Sequence, residues 1–283
     1  MISKIMISKI DTHQHFWKFD AAEYGWIAPD QQVLRRDFLP ADLEKEMAAA
    51  GIGGSVSIQA RSSLEETRWL LELAGQHAFI LGVAGWVSLI DPNVKAALEK
   101  FASNKKLRSI RHVLQDETDE RYMLRDDFNR GIRELKHFGL AFDVLIFERH
   151  LPQTIQFVDK HPGQVFIVNH LAKPRVRYQA LSPWRENMRE LARRPNIYCK
   201  ISGLATEADH AKWTEAQLEP YIDSVLSIFG SNRTMFGSDW PVSQLAIRYR
   251  RWVAIVEKGV SKLSQTEQKQ FWAGTAREAY GLK

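Results

Sequence analysis

Cysteine is nearly absent: Cys199 is the one thiol in 283 residues. That excludes an internal disulfide and suits a reducing compartment, so a cytoplasmic location is expected. No apolar run reaches the roughly 18 residues of a membrane-spanning helix. The longest, 79–90, contains Gly82 and Gly85. No Gly-x-Gly-x-x-Gly follows any predicted strand, so nothing favours a dinucleotide-binding turn. A basic stripe with interleaved aromatics is also missing. The formal charge is +5, but the cations are mixed with acids, as in Arg185-Glu186-Asn187-Met188-Arg189-Glu190. That pattern reads as a solvated surface, and neither nucleic acid nor membrane is an expected partner. No proline- or serine-rich linker interrupts the chain, which predicts one domain over residues 1–283. The opening Met1-Ile2-Ser3-Lys4-Ile5 returns as Met6-Ile7-Ser8-Lys9-Ile10 and is too short in apolar length for a signal peptide. Residues 1–8 are read as a disordered or duplicated start and set aside.

What is present is a regular alternation. Short β-branched runs at 9–15, 54–59, 80–87, 109–114, 141–146, 165–170, 197–202 and 234–238 are predicted strands. Between and after them, 40–50, 64–77, 94–103, 126–138, 152–161, 184–193, 215–229 and 247–258 carry apolar residues at three- and four-residue steps, the helical period. Several strands are apolar nearly throughout, as in a parallel sheet covered by helices. Strict alternation of this kind predicts a single (β/α)8 TIM-type barrel, with a doubly wound open sheet as the other arrangement. Barrels of this type need roughly 200 to 250 residues or more.

In such a barrel, chemistry sits at the carboxyl ends of the strands. Asp11-Thr12-His13-Gln14-His15 ends the first strand, and residues two apart on a strand share a face. His13 and His15 therefore project together, close enough to hold one metal ion or one substrate oxygen. Later strand ends offer Gln59, Arg61, Trp86, Arg111, His112, Gln115, Asp143, Glu148, Asn169, His170, Lys173, Lys200, Ser202, Ser238 and Asp239. The first-strand histidines could instead close the barrel floor, His112 could belong to a surface ion pair, and Asp239 could cap a turn. So many polar groups at one mouth point to a small polar site. His77, His137, His150, His161 and His210 lie on or beside predicted helices and are left out of it. Cys199, inside the seventh strand, is expected to be a buried small hydrophobe.

The segments Asp11–Trp17, Arg111-His112-Val113-Leu114-Gln115, Asn169-His170-Leu171-Ala172-Lys173-Pro174 and Phe236-Gly237-Ser238-Asp239-Trp240-Pro241 together resemble the amidohydrolase superfamily. Within it they are similar to the branch of small sugar-lactone hydrolases. The resemblance implies that His13, His15, His170 and Asp239 surround metal. It departs from the superfamily at strand four, which shows no evident lysine for carbamylation, and at strand five, where Asp143 replaces the usual histidine. Those departures imply one divalent metal such as zinc, or none, rather than a binuclear centre.

The implied reaction is opening of an aldonolactone ester, with L-fuconolactone or a close relative as the expected substrate. Asp239 would act as general base and His170 as a second catalytic group. Trp26, Gln59, Trp86, Arg111, His112, Asp143 and Lys173 are the expected sugar-binding residues. Two other readings are a metal-dependent decarboxylase of an aromatic acid in the same superfamily and a non-catalytic sugar-binding barrel.

Overall fold

Eight parallel strands, β1 (Ile10–Gln14), β2 (Gly54–Ile58), β3 (Ile80–Gly85), β4 (Leu107–Val113), β5 (Ala141–Leu145), β6 (Phe166–Val168), β7 (Ile197–Ile201) and β8 (Thr234–Phe236), pair in sequence order. The structure is a computed structural model that describes residues 9–283. The repeated start at 1–8 lies outside the described residues. β1 and β8 complete the ring: the Asp239 amide donates to the His13 carbonyl at 2.8 Å, and the His15 amide to the Trp240 carbonyl at 2.7 Å. The fold is a (β/α)8 barrel, as the alternation predicts. Every residue of β1, β2, β5 and β7 is buried, because one face lines the barrel interior and the other meets the helices.

The outer layer is α1 (Pro40–Ala49), α2 (Leu64–Gln76), α3 (Val94–Ala102), α4 (Asp126–His137), α5 (Leu151–Asp159), α6 (Trp184–Leu191), α7 (Glu215–Phe229) and α8 (Tyr249–Val260). Two short helices not predicted, α9 (Gln265–Lys269) and α10 (Thr275–Tyr280), follow. The last of them packs Ala276, Ala279 and Tyr280 against Ile10, Val56, Ile58, Ala141 and Ile167 in the interior cluster. Cys199 lies in the layer between strands and helices, where burial raises its thiol far above the ordinary range. His161 bonds Asn129 at 2.7 Å, joining the end of α5 to α4. Among the described residues, no helix is long and apolar enough to cross a membrane.

One irregularity positions the site. The β1–β2 register shifts between Asp11 and Gln14. Ile10 packs into the interior, whereas Asp11 reaches outward to the Tyr249 hydroxyl of α8 at 3.0 Å. A bulge of this kind re-aims the side chains that follow it. Here it returns His13 to the interior beside Lys200.

Candidate active site

His13 and His15 meet as their spacing predicts, with Nε2 atoms 3.2 Å apart. Asp239, just past β8, lies opposite them. Its Oδ1 is 3.7 Å from His13 Nε2, 3.5 Å from His15 Nε2 and 3.7 Å from His170 Nε2. Two backbone turns make this convergence possible. His170, Leu171, Ala172 and Lys173 take φ of 53°, 54°, 58° and 48°, and Asp239 takes 58°. Non-glycine residues in this region cost on the order of 1 kcal/mol or more each, and persist only where their surroundings fix them. The turn after β6 brings both His170 and Lys173 to the cavity wall.

Gly203, after β7, leaves the space that His170 occupies. A Cβ there would stand 2.5 Å from His170 Nδ1 and 3.2 Å from Asp239 Oδ2, and φ is +60°. Ser202 Oγ contacts His170 Nδ1 at 2.9 Å, and the Ile58 carbonyl contacts His15 Nδ1 at 2.9 Å. A carbonyl can only accept, so His15 carries its proton on Nδ1 and presents a bare Nε2.

Beneath these groups lies a second buried layer. Arg111 Nε donates to Gln59 Oε1 at 3.0 Å, and its Nη2 also reaches Oε1 at 2.6 Å. Lys200 Nζ is 2.5 Å from Asp143 Oδ1 and 3.3 Å from His13 Nδ1. Asp143 also accepts from Ser109 Oγ at 2.6 Å, Asn169 Nδ2 at 2.8 Å and the Tyr280 hydroxyl at 2.9 Å.

Burial pushes the His13 and His15 imidazoles below their ordinary range and takes His170 to about 3. The three rings are therefore neutral at neutral pH. Burial works against ionisation of Asp239, but its polar surroundings, the Lys173 ammonium among them, outweigh it and hold the carboxyl below the usual range. Burial lowers Arg111 to about 10, which leaves it charged.

The cavity above has a volume of about 620 Å³. His15, His170, Asp239, Arg111, His112, Lys173 and Trp26 line it, together with Glu23, Arg61, Gln115 and Glu117. Trp26 is 43% exposed at the rim. His112 is tied to Glu117 at 2.6 Å and stacks on Tyr122. Three expected sugar-binding residues, Gln59, Asp143 and Trp86, are not among the residues that line this cavity. Gln59 is fully buried and spends its carbonyl oxygen on Arg111. Asp143 is fully buried under the site with Lys200. Trp86 is held by its backbone to Thr67 of α2, outside the cavity wall. Gly203 and Tyr280 escaped the sequence reading. The Ser202-Gly203 step after an apolar run is a detectable signal for the first. The second sits on a helix whose few residues carry none.

His13, His170 and Asp239 form a group able to hold a metal ion. Zinc bonds of about 2.0 to 2.1 Å imply tetrahedral ligand separations of roughly 3.3 Å, close to the spacings of these atoms. The donor set fits one divalent ion. Arg111 Nη1, 3.5 Å from His13 Nε2, and Lys200 Nζ, 3.3 Å from its Nδ1, set two cations beside this group, and their charge opposes a second ion there.

The amidohydrolase family model matches residues 10–282. An L-fucono-1,5-lactonase of Burkholderia multivorans is 41% identical, covering 97% of this chain and 96% of its own. An L-fucono-1,5-lactonase of Burkholderia ambifaria is 37% identical, covering 98% and 97%. Among solved structures, an amidohydrolase from Burkholderia multivorans with bound zinc superposes with a TM-score of 0.94 at 41% identity, covering 97% of this chain and 99% of that one.

Proposed function

Because the chain belongs to the amidohydrolase family, we propose that it hydrolyses a sugar lactone, L-fucono-1,5-lactone or a close relative. The observation that carries this reading is the Asp239 carboxylate, ringed by three neutral imidazoles at the floor of a polar cavity. Its relatives of 37 to 41% identity over almost the whole chain favour the lactonase over the decarboxylase and the inert barrel.

The chemistry needs a base, a polarised carbonyl and a proton for the departing oxygen. Asp239, ionised in its pocket, accepts a proton from a water molecule held in the mouth as that oxygen bonds the ester carbon. Charge develops on the carbonyl oxygen, and the Arg111 guanidinium, fixed by Gln59, offers a preorganised donor to it. Collapse breaks the ring C–O bond. The proton then passes from Asp239 to the alkoxide, and the product is the open aldonic acid. His170, held by Ser202 and beside Asp239, keeps the carboxylate aligned. A zinc ion, when bound by the histidines and Asp239, would lower the pKa of a bound water and polarise the carbonyl.

Lys173 and His112 at the wall supply donors, Glu23 and Glu117 supply acceptors, and Trp26 offers an apolar face for the sugar ring. Such a lining suits a polyol better than a flat aromatic acid. The test is acid release from L-fucono- and L-rhamnono-lactones, read with a pH indicator above the spontaneous rate, beside CO2 release from dihydroxybenzoates. Turnover of γ-butyrolactone should be lower by up to ~10⁴-fold, because a site that grips hydroxyls rejects analogues lacking them. Equal kcat/KM for butyrolactone and the sugar lactones, or decarboxylation alone, would overturn the proposal.

A further inference from the structure

The buried Lys200 has no direct part in the reaction above, yet it touches His13. Asp143 receives donors from Ser109, Asn169 and Tyr280 besides Lys200. A carboxyl ringed by donors is an acceptor only, hence ionised, and the fully buried Lys200 at 2.5 Å is its ammonium counter-ion. An ammonium has donors and no acceptor. His13 Nδ1, 3.3 Å away, therefore has to accept, which leaves the imidazole proton on Nε2.

The neighbours of Nε2 agree. His15 has its proton on Nδ1 toward Ile58, so its bare Nε2, 3.2 Å from His13 Nε2, needs a donor. One contact pulls the other way: Arg111 Nη1 lies 3.5 Å from His13 Nε2 and would prefer a lone pair there. That contact is the longest of the three, and Arg111 already bonds Gln59. The alternative tautomer would set Nδ1–H against an ammonium and two imidazole lone pairs against each other. Two facing lone pairs are what a metal ion requires.

We propose that Lys200, held by Asp143, fixes His13 as a hydrogen-bond donor to His15 and so opposes metal ligation through His13. Lys200 is a positioning residue in this scheme, and the inference stands whichever substrate the enzyme takes. The direct test is NMR of the whole protein labelled with ¹⁵N-histidine, in zinc-free buffer at neutral pH, with the His13 signals assigned by their loss in His13→Gln. The expected spectrum shows a protonated Nε2 and a bare Nδ1. A proton on Nδ1, or on both nitrogens, would overturn the proposal.

The charge-balanced Lys200→Met/Asp143→Asn variant should move that proton to Nδ1. It should also raise zinc affinity severalfold or more, measured by equilibrium dialysis. Unchanged or weakened zinc binding in the folded variant would count against the idea. If the variant does not fold, the wild-type spectrum decides alone.

Discussion

Asp239 and Gly203 carry the sharpest consequences for single side chains. Replacing Asp239 with Asn preserves shape but removes the proton acceptor. It should lower kcat at least ~10²-fold, the lower range for losing a positioned base. A folded Asp239→Asn enzyme with near-normal turnover would remove Asp239 from the reaction. Gly203→Ala tests position rather than chemistry. The added methyl would overlap His170 Nδ1, and the left-handed backbone costs roughly 1 to 2 kcal/mol. His170 must shift, and misplacement on the 1 Å scale costs about 10²-fold in rate. The expected result is a large loss of kcat with only a few degrees lost in Tm, read by steady-state kinetics beside a thermal melt.

At the scale of elements, α2 and α10 bear on the site from opposite ends of the barrel. Glu66, in the first turn of α2, accepts from the Ala60 and Arg61 amides at 2.9 and 3.0 Å, so it anchors the loop after β2. Burial raises its carboxyl to about 7. The folded state therefore holds this proton at pH values where the unfolded chain, near 4.5, has lost it. The stability this proton contributes is complete below pH ~4.5 and is lost as pH rises through ~7. Glu66→Gln mimics the protonated acid. It should be more stable than the parent at pH 8 by on the order of 3 kcal/mol and indistinguishable at pH 4. Urea titrations at the two pH values measure this, and a constant difference would show that Glu66 does not titrate as argued. Tyr280 of α10 donates to Asp143 at 2.9 Å from the barrel floor. Tyr280→Phe removes one of the donors to a buried carboxylate and should cost about 1 to 3 kcal/mol, seen as a lower denaturation midpoint.

For the molecule as a whole, the prediction concerns metal. Among the described residues, the barrel brings one set of imidazole and carboxylate donors together and sets the Arg111 and Lys200 cations beside it. Dialysis against zinc followed by elemental analysis should give no more than one ion per chain. Two ions would contradict the geometry around β4 and β5. Ring closure matters here as well: Asp11 accepts from the His13 and Ser238 amides at 3.1 and 2.8 Å, clasping β1 to β8 where His13 and Asp239 face each other.

Periodicity and local chemistry were enough to read the strands, because a parallel strand buried on both faces must be apolar and β-branched. Each of the eight main helices begins within two residues of its predicted start, apart from nothing more than end fraying. His13, His15, His170 and Asp239 were legible too, since polar residues that end apolar runs have a single common destination in a closed barrel. Depth was not legible. Gln59, Asp143 and Lys200 lie at strand ends much as Arg111 does, and whether such a side chain meets substrate or a buried partner depends on barrel stagger and on what crosses from other strands. Trp86 faced the same ambiguity and fell outside the wall. The α10 helix, short and weakly patterned, carries no local sign that its tyrosine would reach Asp143, 137 residues away in sequence. Local pattern determines which residues are strand and which ends are polar. The closing of the ring decides which of those polar ends meet, because contacts across a barrel join residues that no sequence window contains together.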